Sequence, residues 1–172
     1  MDIRLHLEAG HSKAQSMEIV KYVGYDKSRF SNLFGVFVRG PYRISQRAAH
    51  PIALIIEQYP KLLSPYFPEI IGLLKRDDIH DAVKRNIFRM LQSQKVPGKY
   101  EGEVLDLAFS FLVDRKQAIA IRVFAMQVVF NLSAKYPEIR ADLKMVLEDM
   151  LPYGSPGFKN RAKKILSKLM MS

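Results

Sequence analysis

Four arginines recur through the chain at nearly constant spacing, and this period is the strongest constraint on its fold. They are Arg47, Arg85, Arg122 and Arg161, separated by 38, 37 and 39 residues. A repeat of this length accommodates two helices and a turn, a unit that cannot bury its apolar face alone and must stack on its neighbours. The sequence therefore predicts an array of stacked helix pairs.

Apolar residues spaced three and four apart indicate two helices in every repeat. The faces of the second helices are clearest in two sets: Ala48, Ile52, Ile55, Ile56 and Tyr59, then Ile121, Phe124, Ala125, Val128 and Leu132. First helices precede them, with faces such as Phe30, Leu33, Phe34 and Phe37. This spacing is typical of a helix, whereas a half-buried strand would alternate. The fold class is therefore expected to be all-α.

Polar residues and prolines mark where these helices begin and end. Asp26 and Asp78 are expected to cap the helices that follow them, because a short side-chain oxygen can accept an unpaired N–H of the first turn. Tyr59-Pro60 and Tyr136-Pro137 are expected to end second helices, since the residue before proline is disfavoured in the helical conformation.

At the repeated positions the chain resembles the HEAT repeat family, most clearly at Ile121-Arg122-Val123-Phe124-Ala125. The stretches His11 to Gln15, Ser45 to Ala49 and His80 to Asn86 are also similar to a group of uncharacterised bacterial HEAT-like proteins, a likeness that implies no activity. The resemblance implies one α-solenoid domain, 1–172, of antiparallel pairs with about nine helices. A capping helix is expected at 12–23, and pairs at 26–60, 65–97, 101–137 and 138–171.

Composition limits the environments and partners of such a chain. An apolar content of 48% can supply a continuous core, and the absence of cysteine excludes disulfides and thiolate metal sites. We expect a cytoplasmic protein without a secretory signal, because the first eight residues include acids. No membrane span is expected either, since the most apolar stretch, 118–132, is interrupted by Arg122 and is too short.

Two sets of side chains could in principle hold a metal, but a structural role is favoured for both. The first, Asp77, Asp78, His80 and Asp81, lies at a helix start, where acids complement the helix dipole. The second, His6, Glu8 and His11, lies in an N-terminal segment expected to fray. No set of acid, base and nucleophile is recognisable. We therefore expect no catalysis and no cofactor.

The excess of 27 Lys and Arg over 17 Asp and Glu indicates an anionic partner or a solvated basic face. Second helices line the concave side of HEAT stacks, so the resemblance assigns partner binding to their cations: Arg47, Lys84, Arg85, Arg89, Arg122, Arg161, Lys164 and Lys168. The alternative is that these cations form a solvated face together with pairs inside the stack, with Asp78, Asp114 and Glu148.

A protein or acidic peptide is the favoured partner, and non-specific nucleic-acid binding is the alternative. Tyr42, Tyr59 or Tyr136 could stack on a base. The chain has no tryptophan, however, whereas the HEAT-like DNA glycosylases hold an alkylated base with tryptophans. Neither the oligomeric state nor the identity of the partner follows from the sequence.

Overall fold

The computed structural model describes residues 1–171, which contain ten α-helices and no β-strand. The expected all-α fold of packed helix pairs is confirmed. The described chain forms two compact units, one from Met1 to Gln94 and the other from residue 95 onward.

The first unit contains six helices. They are α1 (Ile3–Ala9), α2 (Lys13–Val23), α3 (Lys27–Arg39), α4 (Tyr42–Gln58), α5 (Phe67–Leu74) and α6 (Asp81–Leu91). Two short 3₁₀ turns, Pro60–Leu62 and Ser64–Tyr66, connect α4 to α5. The core is centred on Phe30, Phe34 and Phe37 of α3, which are at most 1% exposed. The second helices α2, α4 and α6 form one layer, because α4 packs against both α2 and α6.

The second unit contains four helices: α7 (Gly98–Val113), α8 (Ile119–Ser133), α9 (Pro137–Met150) and α10 (Pro156–Met170). Helix α8 packs against its own first helix α7 and also against α9 and α10. This enclosure buries Ile121, Ala125 and Val129 completely. Within this unit the second helices α8 and α10 are therefore neighbours.

Helix α1 is one helix more than the expected set. Its segment was expected to fray, yet Ile3 and Leu7 are buried, and α1 contacts α2, α3 and α4. The side chain of Asp2 accepts the N–H of Leu5 at 3.0 Å and caps the helix. Because α1 precedes α2, the latter is the second helix of a pair, so the N-terminal cap consists of two helices.

The helix ends agree with the sequence at some positions and differ at others. Asp26 caps α3 as predicted, accepting the N–H of Arg29 at 2.9 Å, and α4 ends immediately before Tyr59. The prediction for Asp78 was wrong, because α6 begins later and its cap is His80. The prediction for Tyr136-Pro137 was wrong as well, since α8 ends at Ser133 and Pro137 opens α9. Proline suits that first position, where no N–H is needed.

None of the helices in residues 1–171 combines the length and the apolar content that crossing a bilayer requires.

Two residues of α9 provide a test of the packing. Leu147 is completely buried, whereas Met145 is 65% exposed. We expect Leu147→Ala to lower the free energy of unfolding by about 3 kcal/mol, because it leaves a cavity in the core. Met145→Ala should change it by less than about 0.5 kcal/mol. Urea denaturation of both variants measures the difference, and equal effects would contradict the assignment of these two faces.

Candidate functional site

The eight cations predicted to bind a partner all lie on second helices, divided between the two units. The first unit carries Arg47 on α4 and Lys84, Arg85 and Arg89 on α6. The second unit carries Arg122 on α8 and Arg161, Lys164 and Lys168 on α10. The surroundings of these side chains differ widely, so each unit is described separately.

Two of the recurring arginines are engaged by the ends of neighbouring helices. Arg47 donates from Nη1 to the carbonyls of Leu7 at 2.7 Å and Glu8 at 3.2 Å, in the last turn of α1. Arg122 donates from Nε to the carbonyl of Leu112 at 3.0 Å, in the last turn of α7. Carbonyls in a last turn have no partner within their own helix. Both guanidinium groups therefore stabilise helix ends.

Arg122 is also enclosed by apolar and sulfur groups. Its guanidinium carbon lies 4.9 Å from the ring centre of Phe158, and its Nη2 lies 3.8 Å from Sδ of Met150. Burial, and then the charge of Arg115, lowers the pKa of Arg122, while Asp114 opposes that shift. Arg122 is therefore held within the second unit, at the junction of α7, α9 and α10.

The acids proposed as partners of these arginines are used locally. Asp78 accepts two hydrogen bonds from Arg76, at 2.9 and 2.6 Å. Asp114 accepts from the N–H of Lys116 at 2.9 Å and from the amide of Gln117 at 2.8 Å. Glu148 lies 3.9 Å from Lys144, four residues earlier on the same helix. The hydrogen bonds described for Arg47 and Arg122 thus go mainly to carbonyl groups.

On α6 the three cations differ in exposure. Lys84 is only 9% exposed, Arg85 is half-buried and Arg89 is exposed. Lys84 therefore contributes little open surface, and Arg89 is the most accessible of the three.

Three basic residues of the first unit act electrostatically on His50. Burial lowers the pKa of His50 on α4, and the charges of Arg89, His11 and Lys13 lower it further. Glu57 opposes that shift, so this surface of the first unit has mixed charge.

In the second unit, an open groove of about 880 Å³ extends along α10 and is bordered on α8 by Gln127. Five cations line it: Lys159, Arg161, Lys163, Lys164 and Lys168. The other lining residues found in the described chain are neutral, so none of them compensates this charge. The groove is therefore a concentrated positive surface.

Side chains of α8 orient two of the groove cations. Arg161 donates from Nη1 to Oε1 of Gln127 at 3.0 Å, and the amide of Gln127 donates to Oδ1 of Asn131 at 2.8 Å. The ammonium of Lys168 lies over the ring of Phe130, 5.8 Å from its centre. Lys163 and Lys164, which also line the groove, are exposed.

A HEAT repeat domain model matches residues 3–169. The chain belongs to the HEAT repeat family. The resemblance inferred from the arginine period is thereby confirmed. No curated protein and no solved structure matches the chain. HEAT repeats generally mediate protein–protein interaction or scaffolding, and the family is typically non-catalytic.

One polar cluster of this HEAT domain was not predicted as a unit. Glu101 on α7 is 4% exposed; its Oε1 accepts from Nζ of Lys135 at 2.7 Å and its Oε2 from the hydroxyl of Tyr136 at 3.0 Å. The hydrogen bond from Lys135 lowers the pKa of Glu101 most, and the bond from Tyr136 lowers it further. The same two bonds raise the pKa of Lys135 and of Tyr136. The sequence does carry one indication of this cluster. Glu101 lies one helical turn before Leu105, on the face of α7 that is buried.

The tyrosines considered for base stacking all have partners within the protein. Tyr136 belongs to the Glu101 cluster. The ring of Tyr59 lies 5.5 Å from that of Tyr25, and the ring of Tyr42 lies 4.2 Å from that of His80. Tyr42 is nevertheless 46% exposed.

The two candidate metal sets have structural partners as well. Nδ1 of His80 accepts the N–H of Ala82 at 3.1 Å and caps α6, while Asp78 binds Arg76. In the other set, His6 lies 2.9 Å from Glu18 and Glu8 lies 2.9 Å from Arg4. Within residues 1–171, no three His, Asp or Glu side chains form a group that could hold a metal ion.

Replacing Arg122 and Lys164 separates structural cations from surface cations. Arg122→Met keeps an unbranched side chain but leaves the Leu112 carbonyl without its donor, so we expect a loss of about 1 kcal/mol in the free energy of unfolding. Lys164→Met should leave stability nearly unchanged, because Lys164 is exposed. Thermal and urea denaturation measure the stability of both variants. If Arg122→Met were as stable as the wild type, the structural role of Arg122 would be contradicted.

The Glu101 cluster predicts a pH-dependent contribution to stability. Folding lowers the pKa of Glu101 from its value in the unfolded chain, which is near 4.5. Such a carboxyl group stabilises the folded state at pH values above that unfolded pKa, and the stabilisation is lost as the pH falls. We therefore expect Glu101→Gln to be less stable than the wild type at neutral pH. The difference in urea midpoint should narrow as the pH drops below 4.5. A difference that stays constant through this range would contradict the assignment.

Proposed function

We propose that this HEAT chain is a non-catalytic binding module that presents the cations of its second helices to a protein partner. The observation that carries the proposal is the groove along α10, which within the described part of the chain is lined by five cations and by no acidic residue. A concentration of charge of one sign attracts a partner of the opposite sign and accelerates its association.

The chemistry of the groove favours binding over catalysis. General acid–base catalysis most often relies on a histidine or a carboxylate near the reacting atom. The groove is lined by lysine, arginine, amide and hydroxyl side chains, together with Pro156 and Ile165. These groups can donate hydrogen bonds to an anionic partner. The lack of cysteine fits a reducing compartment, and we place this activity in the cytoplasm.

The cations at the open surface of the second helices are assigned to binding, and those bound to helix-end carbonyls to stability. Lys164, Lys168 and Arg89 are exposed, and Arg161 is half-buried at the groove. Arg85 is half-buried on the same helix as Arg89 and contributes to a secondary surface in the first unit. By contrast, the carbonyl contacts of Arg47 and Arg122 support a role in packing.

A protein partner is favoured over nucleic acid, because single-stranded nucleic acids are usually held by aromatic stacking as well as by charge. The lining of the groove includes no aromatic side chain among the described residues. Phe130, beside it, lies beneath the ammonium of Lys168.

Site-specific photo-cross-linking in the host cell tests the proposed surface. A photoreactive amino acid at Lys163 lies in the lining of the groove on α10, whereas the same group at the exposed Asp142 lies on the first helix α9. We expect a protein adduct from position 163 and a much weaker one from position 142, because the partner contacts the second helix.

Nuclease treatment and salt identify the class of partner. A protein adduct should survive nuclease digestion. An adduct that disappears would instead indicate nucleic acid, whose affinity should fall by roughly a thousandfold between about 50 and 200 mM salt if six phosphates are engaged. Equal adducts from positions 163 and 142, or none from either, would overturn the proposal.

A further inference from the structure

We propose that the groove between α8 and α10 binds an acidic α-helix of the partner, with carboxylates spaced one helical turn apart. This inference rests on the proposed function and specifies the chemistry of the partner. It depends on the spacing of the groove cations and on the way α8 orients them.

The spacing of the cations matches a helix better than a strand. Arg161, Lys164 and Lys168 follow one another at offsets of three and four, which places them roughly 4.5 and 6 Å apart along the axis of α10. Glutamates at the same offsets on a second helix would have the same spacing. In an extended segment, side chains on one face repeat roughly every 6.6 Å. Three carboxylates of a strand would therefore drift out of register.

The cations nearest to α8 are already oriented. Gln127 accepts from Arg161 and is itself fixed by its bond to Asn131. Lys168 is held over Phe130. Orienting long side chains before binding reduces the entropy that association costs. Arg161 can bind a carboxylate in a defined geometry, whereas Lys164 on the exposed side acts as a point charge.

Apolar surface contributes little to the groove. Ile165 lies among the lining residues but is only 2% exposed, and Pro156 borders the groove at the start of α10. The alkyl chains of the lysines add apolar surface while their ammonium groups stay in water. Charge is therefore the main property that the groove offers a partner, and a helix with an acidic stripe matches it.

Two fluorescent peptides of identical composition provide the test. Both are alanine-rich and about 20 residues long, a length that supports helix formation in water. One carries its glutamates in a single stripe at offsets of three and four, and the other distributes them around the helix. Fluorescence anisotropy with the full chain should show at least about tenfold tighter binding of the striped peptide, because only it aligns with Arg161, Lys164 and Lys168.

A matched pair of charge variants localises the binding. Lys164→Glu/Lys168→Glu reverses two groove cations, whereas Lys27→Glu/Lys99→Glu makes the same change in net charge in the first turns of α3 and α7. Acidic residues are favourable in a first turn, so the control variant should remain folded. The groove variant should lose at least about tenfold in affinity for the striped peptide, and the control variant should stay within about twofold of the wild type. Circular dichroism melting verifies that both are folded.

Several outcomes would overturn the inference. Equal binding of the two peptides, or equal losses in the two variants, would indicate attraction by net charge alone. A dT20 oligonucleotide that binds more tightly than the striped peptide and is released by the groove variant would indicate a nucleic-acid site. A protein adduct at position 163 together with no preference for the striped peptide would refute the helical partner but retain the proposed function. The absence of any adduct would refute the proposed function itself.

Discussion

Burial of the second helices on several sides is the constraint on which the remaining features depend. Helix α8 is covered by α7, α9 and α10, and α4 by α1, α2, α3 and α6. About half of the residues of either helix are buried. The side chains on the remaining strip are therefore the ones available to a partner, whereas other polar groups must find partners inside.

This constraint separates cations that look alike in the sequence. A guanidinium group has several donors in a planar arrangement and is less strongly hydrated than an ammonium group. Arg47 and Arg122 can accordingly leave water and bond to the carbonyls at helix ends. Lys163, Lys164 and Lys168 stay on the surface of α10, with their charges in water. The arginine period therefore reports packing in part, while the lysines make up most of the exposed basic surface.

The acids of the chain follow the same division. Asp78 and Asp114 are satisfied within their own turns, by Arg76 and by residues that follow Asp114. Glu101 is buried with Lys135 and Tyr136, which connects the start of α7 to the segment between α8 and α9. Neither Glu101 nor Asp114 lies among the residues that line the groove along α10.

The sequence by itself determined the fold class, the family and the pairing of helices, because apolar periodicity and repeat length are local properties of the chain. Tertiary structure decided the role of each polar side chain. Glu101 was visible as an acid in a buried register, but its partners lie 34 and 35 residues away and are brought close only by packing. Helix α1, with seven residues, is too short to be stable alone and depends on burying Ile3 and Leu7. Whether an arginine bonds to a carbonyl or stays in solvent depends on how close the neighbouring helix lies. The spacing of arginines along the chain does not fix the distance to that helix.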